Sequence, residues 1–178
     1  MNGATLTLGL AGLLAGASAL SRRGSRATVR YVYPTRQAMK EANDRFFAAL
    51  EEFAGTGQVV YFGPFAVVGD RTGDVLGKLE IRVGSDRVSG ALCVHLGYLG
   101  VSVDSRNKGF GRRLLQIVCD AADKVGLPIE LDVDPQAQYG QRKPPMNKVQ
   151  LRDLYAKFGF KKVKGMGSDY MVRPARVD

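Results

Sequence analysis

From residue 104 the chain reads Asp-Ser-Arg106-Asn107-Lys108-Gly109-Phe110-Gly111-Arg112-Arg113, and these types in this order suit the grip of a phosphorylated ligand. Glycines at 109 and 111 let the backbone come close to a ligand and turn sharply into a following helix. The first N–H groups of such a helix have no intrahelical partner, and the helix dipole favours an anion beside them. Arg106, Lys108, Arg112 and Arg113 put cations where the dipole would prefer acids, a local conflict that a bound anion resolves. A second set is acidic. Glu130, Asp132 and Asp134 alternate and so share one strand face, where they either draw in a cationic amine, supply a base through water, or form a wetted strand surface. The one histidine, His95, titrates near neutrality and suits proton transfer. With it stand two cysteines, Cys93 and Cys119, not in CxxC spacing. These counts offer no His/Cys metal cluster, so zinc hydrolase chemistry is set aside.

The elements that must position these residues follow from periodicity. Val29–Tyr33 reads as a strand closed by Pro34, and Thr35 caps a helix running to about Ala54. Strands are expected at about 58–68 and 75–83, joined by Asp70-Arg-Thr-Gly73-Asp74, and a central strand from Ala91 to Val103. Phe110, Leu114, Val118, Ala121 and Val125 form one stripe of a helix over 109–125, ended by Gly126 with Pro128 beyond. A strand over Ile129–Val133, a short helix over 148–158 and strands at 160–163 and 169–173 complete an α+β unit. A Rossmann dinucleotide loop would need glycine at 114 and an early position in the chain; Leu114 excludes it.

Residues 1–21 carry no charged side chain and are apolar from Ala4 to Leu20. As a helix they would span about 31 Å, near the thickness of a bilayer core. Gly12 and Gly16 would admit a second helix closely. The cluster Arg22, Arg23, Arg26 follows, and six of the nine net positive charges lie within residues 1–40. A membrane anchor, a helix inserted into a partner assembly, a signal or transit segment and plain disorder all compete here; positive-inside logic turns an anchored domain toward the cytoplasm. No aromatic residues interleave with the cluster, so nucleic acid is not an expected partner. The domain boundary falls at 27/28, with residues 28–178 as one catalytic unit.

A strand, then Arg106-x-x-Gly109-x-Gly111, then a helix, followed by Leu154-Tyr155-Ala-Lys-Phe158-Gly159-Phe160, resembles the GNAT superfamily of N-acetyltransferases over about residues 28–174. The resemblance implies a mixed, mostly antiparallel central sheet flanked by helices, with an apolar N-terminal helical extension outside it. It implies acetyl-CoA as cofactor and a protein or small-molecule amine as acceptor. Leu99, Val101, Val103, Arg106, Asn107, Lys108, Gly109, Phe110, Gly111 and Arg112 would contact the cofactor. Gly97 and Gly100 flank the part of the strand where the family bulges to admit the acetyl group. Tyr155 would be the general acid. His95 resembles in position the catalytic glutamate of the histone-acetyltransferase branch, and would be the base. Two departures stand out: Lys148 occupies a place where the family often has asparagine, with Asn147 one residue away, and the 135–145 loop is long. The rival expectation is a catalytically silent component of a membrane or virion assembly, held by residues 1–21.

Overall fold

Thr35 opens the first helix as expected: its hydroxyl accepts from the Ala38 amide at 3.1 Å, which satisfies one of the donors a helix start leaves bare. Helix α1 (Arg36–Ala54) buries Ala42, Phe46, Ala49, Leu50 and Ala54, one stripe at helical spacing. Helix α2 (Phe110–Val125) buries Leu114, Leu115, Val118, Cys119, Ala121 and Ala122. A third helix, α3 (Lys148–Lys157), is shorter and buries no residue fully. The computed structural model describes residues 33–56, 58–62, 65–69, 73–136, 145–167 and 169–176. The chain divides into two units, Met1–Arg30 and Tyr31–Asp178, and every described residue belongs to the second. The expectations for residues 1–27, for the strand at 29–32 and for the middle of the 135–145 loop lie outside the described residues. Among the described residues no helix is long and apolar enough to cross a membrane.

Seven strands form one sheet: β1 (Val59–Phe62), β2 (Phe65–Gly69), β3 (Val75–Ser85), β4 (Leu92–Gly100), β5 (Ile129–Asp132), β6 (Lys161–Lys162) and β7 (Tyr170–Arg173), in the order β1-β2-β3-β4-β5-β7-β6. Every neighbouring pair is antiparallel except β4 and β5. That one parallel pair follows from α2, which carries the chain back along the sheet between them. The expected 58–68 strand is two strands. Phe62 pairs with Phe65, so only Gly63 and Pro64 separate them, and both are turn formers. The expected central strand ends at Gly100, and Val103–Ser105 is instead a turn of 3-10 helix.

Helix α1 packs along α2, and both lie on β3. Leu79, Ile81, Val94, Leu96, Ile129 and Leu131 join Phe46, Leu50, Leu114, Leu115 and Val118 in one core. Alternation then sends Cys93, His95 and Glu130 to the opposite face. Arg173 closes the structure from β7. Only 3% exposed, it holds both Asp123 oxygens of α2, at 2.7 and 2.5 Å, and donates from Nε to the Phe158 carbonyl after α3 at 2.8 Å.

Candidate active site

The sheet opens where β4 and β5 part. Their ladder holds only Val94 with Ile129 and His95 with Glu130, although β4 continues to Gly100. Just past the last pair, β4 bulges. Glu80 pairs with Tyr98 and Ile81 with Leu96, so Gly97 is the extra residue. A bulge re-aims the residues beyond it: Leu99 now pairs with the buried Leu79 and shares its face. The parted strands, the start of α2 and α3 enclose a cleft of about 950 Å³, within the range that holds a sizeable organic ligand.

The turn at 106–109 brings the chain into α2. Asn107 takes φ 60°, the one positive φ outside glycine among the described residues, and Gly109 takes φ 83°. The Gly109 carbonyl accepts from both Arg112 and Arg113 amides at 3.0 Å, so the amides ahead of them are those that a helix start leaves pointing outward. Gly111 lies against Val101: a Cβ there would sit 3.3 Å from Val101 Cγ2. Glycine at 111 therefore lets the helix start sit close to the end of β4. A Cβ at Gly109 would meet nothing within 4 Å, so glycine at 109 serves the left-handed turn and its face stays open to a ligand.

Leu99, Val101, Arg106, Asn107, Gly109, Phe110, Gly111 and Arg112 all line the cleft. Val103 and Lys108 do not. Val103 is 55% exposed on the 3-10 turn, and Lys108 is exposed on the turn that follows; both expectations assumed that every residue of the run faces the ligand. Tyr155 of α3 lines the cleft. Its ring leans on Phe160, 5.5 Å between centroids, and burial pushes its phenol up to about 12, so it stays a proton donor at neutral pH. The β5 and α3 side adds Asp132, Asp134 and Asp153. Arg106 and Arg112 stand at the α2 entrance, and the other wall carries these three carboxylates together with Lys157 at the end of α3.

His95 is not among the lining residues. It sits on the face away from α2, with Nδ1 2.6 Å from Glu130 Oε1 and Nε2 3.4 Å from Cys93 Sγ. Burial lowers its pKa and outweighs the pull of Glu130, which keeps the ring neutral. The expected general base thus stands beside the site, and the reason is alternation: the next residue, Leu96, lines the cleft, whereas His95 turns to the opposite strand face. The three carboxylates read as one face also separate. Glu130 is buried, accepting from the Tyr170 hydroxyl and from the Arg87 amide, whereas Asp132 reaches the cleft while paired with Arg87 at 2.5 Å. Asn147, which stood one place from the family's asparagine, caps α3: its side chain accepts from Gln150 N, and Gln150 returns the bond.

The residues present fit acetyl-CoA. Outward amides at the start of α2, Arg106 and Arg112 beside them, and space over Gly109 suit a diphosphate, and the parted strands beyond the bulge leave room for an extended thiol arm. A family model described as the acetyltransferase (GNAT) family matches residues 25–160. No curated protein matches the sequence. Among solved structures, a Pyrococcus horikoshii protein is 21% identical, with a TM-score of 0.46 over 83% of this chain and 98% of that one. A GNAT family N-acetyltransferase from Escherichia coli, in complex with CoA, is 19% identical, with a TM-score of 0.42 over 75% and 67%. The Bacillus subtilis N-acetyltransferase YlbP, in complex with coenzyme A, is 17% identical, with a TM-score of 0.42 over 64% and 70%.

Proposed function

Because the chain belongs to the acetyltransferase (GNAT) family, we propose that it transfers an acetyl group from acetyl-CoA to an amine, with the cleft between β4, β5, α2 and α3 as its active site. The observation that carries this reading is the glycine-led start of α2 opening into that cleft with Arg106 and Arg112 beside it. Acetyl-CoA, when bound, supplies an activated acyl thioester. The chain's part is to hold and to protonate. The α2 amides with Arg106 and Arg112 grip the diphosphate. The backbone of Leu99 and Val101, past the bulge, lies along the thiol arm. Tyr155, kept protonated by burial, offers its O–H to the departing sulfur. Asp132, Asp134 and Asp153 line the wall at which an ammonium-bearing acceptor would be received, and they also serve as the nearby proton acceptors. His95, outside the cleft, is not assigned the base.

Calorimetry with coenzyme A tests the grip. One equivalent should bind, and an Arg106→Ala/Arg112→Ala variant should bind at least tenfold more weakly, the scale of one lost charge-assisted bond. Thiol release with a panel of amines and neutral nucleophiles then tests transfer. Binding without release on any amine would remove the transferase reading and keep the fold. The uncharged residues 1–21 with the arginines behind them support attachment of the domain, at a membrane or to an assembly, with the site on the cytoplasmic side.

A further inference from the structure

We propose that Arg87 is a positioning residue for the acceptor side of the cleft: it fixes the Asp132 carboxylate on which the incoming ammonium is received. The role rests on acetyl transfer in that cleft. Asp132 is the last residue of β5 and lines the cleft, whereas Arg87 does not line it. The β4–β5 ladder has ended at His95 and Glu130, so Asp132 has lost its neighbour on the β4 side, and its side chain is 45% exposed. An aspartate left so at a strand end exchanges between rotamers unless something holds it. Arg87 Nη2 donates to its Oδ2 at 2.5 Å. Oδ1 is bonded to none of the described residues and is left for an ammonium.

A half-exposed arginine–carboxylate pair alone is worth little. What sets this one apart is how Arg87 is held. Its backbone belongs to the β3–β4 hairpin, where Asp86 accepts from the Val88 and Ser89 amides at 2.6 Å and from the Ala91 amide at 3.1 Å. Its own amide donates to Glu130 Oε2 at 3.2 Å, and its Nε stands 3.5 Å from Glu130 Oε1. Its guanidinium lies over the Tyr170 ring, 5.1 Å from the centroid, a contact that favours the cation. Glu130 and Asp132 share a strand face, and Tyr170 is the ladder partner of Asp132. One side chain therefore runs along three adjoining places on the sheet. Beneath it Glu130 is fixed in turn by the Tyr170 hydroxyl and by His95 Nδ1, 2.6 Å from Oε1. The buried His95–Glu130–Tyr170 cluster, which no step in the cleft uses, is thereby the footing of Arg87.

Charge agrees with the geometry. Two carboxylates share one guanidinium, and burial keeps the His95 ring neutral, so the set retains one negative charge. Glu130 is 1% exposed, which leaves Asp132 as the place where an ammonium meets that charge. The bond to Asp132 raises the Arg87 pKa above its ordinary value, so the guanidinium stays charged at any working pH. Lysine is no substitute for it. An ammonium is a compact point charge, whereas the planar fork addresses Glu130 from Nε and Asp132 from Nη2 while it stacks on a ring. Arg87→Lys therefore keeps the charge and removes the positioning.

Steady-state rates with primary alkylamines and lysyl peptides, coenzyme A calorimetry and thermal melts, all on the full chain, test the role. With the fastest of these acceptors, Arg87→Lys should raise KM at least about fivefold and leave kcat within about twofold, the pattern of lost ground-state binding. Coenzyme A affinity should stay within about twofold of wild type, and the melt should remain cooperative. Asp132→Asn should raise the acceptor KM by a similar factor. In that background Arg87→Lys should change KM less than about twofold, because no carboxylate is left for it to act through. A merely structural role would persist there. Losses that multiply in the double variant, a loss that falls on coenzyme A affinity, or an Arg87→Lys chain without a cooperative melt overturn the positioning role and leave the transferase reading standing. A wild type that transfers to none of these amines removes both.

Discussion

Tyr155 and Gly109 show how far one residue's role depends on its backbone. Tyr155 reaches the cleft from α3 with a phenol that burial holds protonated, so Tyr155→Phe removes an O–H and little volume. Turnover should fall about 10²-fold with coenzyme A affinity unchanged; equal turnover would make the residue a packing group. Gly109 was legible as necessary, and its reason lies in the turn. At φ 83°, with empty space where a Cβ would stand, Gly109→Ala should cost about 1 kcal/mol through the left-handed backbone. Gly111→Leu should do more, because Val101 already stands at the limit of contact and the helix start would have to move. Thermal melts beside calorimetry separate the two: a small Tm loss for Gly109→Ala, and a loss of coenzyme A affinity out of proportion to stability for Gly111→Leu. His95 was legible as a titrating residue and misread in place, since the bulge at Gly97 lies between it and Arg106 and breaks a count back along the strand. Glu130 was missed as its partner for the same reason: ladder register joins residues 35 positions apart, and no local pattern carries that.

At the scale of elements, most of the fold was present in caps and stripes. Thr35 and Gly126 mark helix ends where expected, and of the α2 stripe Leu114, Val118 and Ala121 are buried while Phe110 and Val125, at its ends, are half-buried; the cap at Asn147 was not anticipated. What stayed hidden was where strands stop, because a two-residue break such as Gly63-Pro64 inside a β-rich run, or a 3-10 turn at Val103–Ser105, leaves the apolar pattern intact. The tie between β7 and α2 was equally invisible. Arg173 reads as one more surface cation, but it is buried against Asp123 and the end of α3. Burial alone would raise the Asp123 carboxyl; the bonds from Arg173 and from the Arg176 amide outweigh it and hold the pKa below the ordinary value. A depressed folded-state pKa gives stability that is present above the unfolded value, near 3.9, and lost as pH falls through the folded one. Between pH 5 and about pH 2 the Tm of the wild type should therefore fall more steeply than that of Asp123→Asn. Arg173→Met should destabilise at neutral pH by about 2–4 kcal/mol, because it leaves a half-buried carboxylate without its partner. Matching acid limbs in wild type and Asp123→Asn would detach this pair from the stability of the fold.

For the whole molecule the open matter is how much chain the domain needs. The described residues from Tyr33 to Arg176 already contain the two-helix core, the seven-stranded sheet and the cleft walls named above. The first 27 residues have a different composition: no acid, no apolar stripe confined to one helix face, and an uncharged run followed by three arginines. A segment apolar nearly all round suits lipid or a many-sided protein socket better than one side of a mixed sheet. Deleting residues 1–27 should then leave a chain that unfolds cooperatively, within a few degrees of the full-length Tm, and binds coenzyme A equally well. The deletion lowers the net charge from +9 to +6, since Arg22, Arg23 and Arg26 go and no acid goes with them. Affinity for anionic vesicles should drop with it, by an amount that shrinks as salt rises if the arginines act, and that persists in high salt if the apolar run inserts. Flotation of both chains with vesicles at low and high salt reads this directly. A truncated chain that precipitates or loses its cooperative transition would place the segment within the domain core, and attachment would no longer explain its composition.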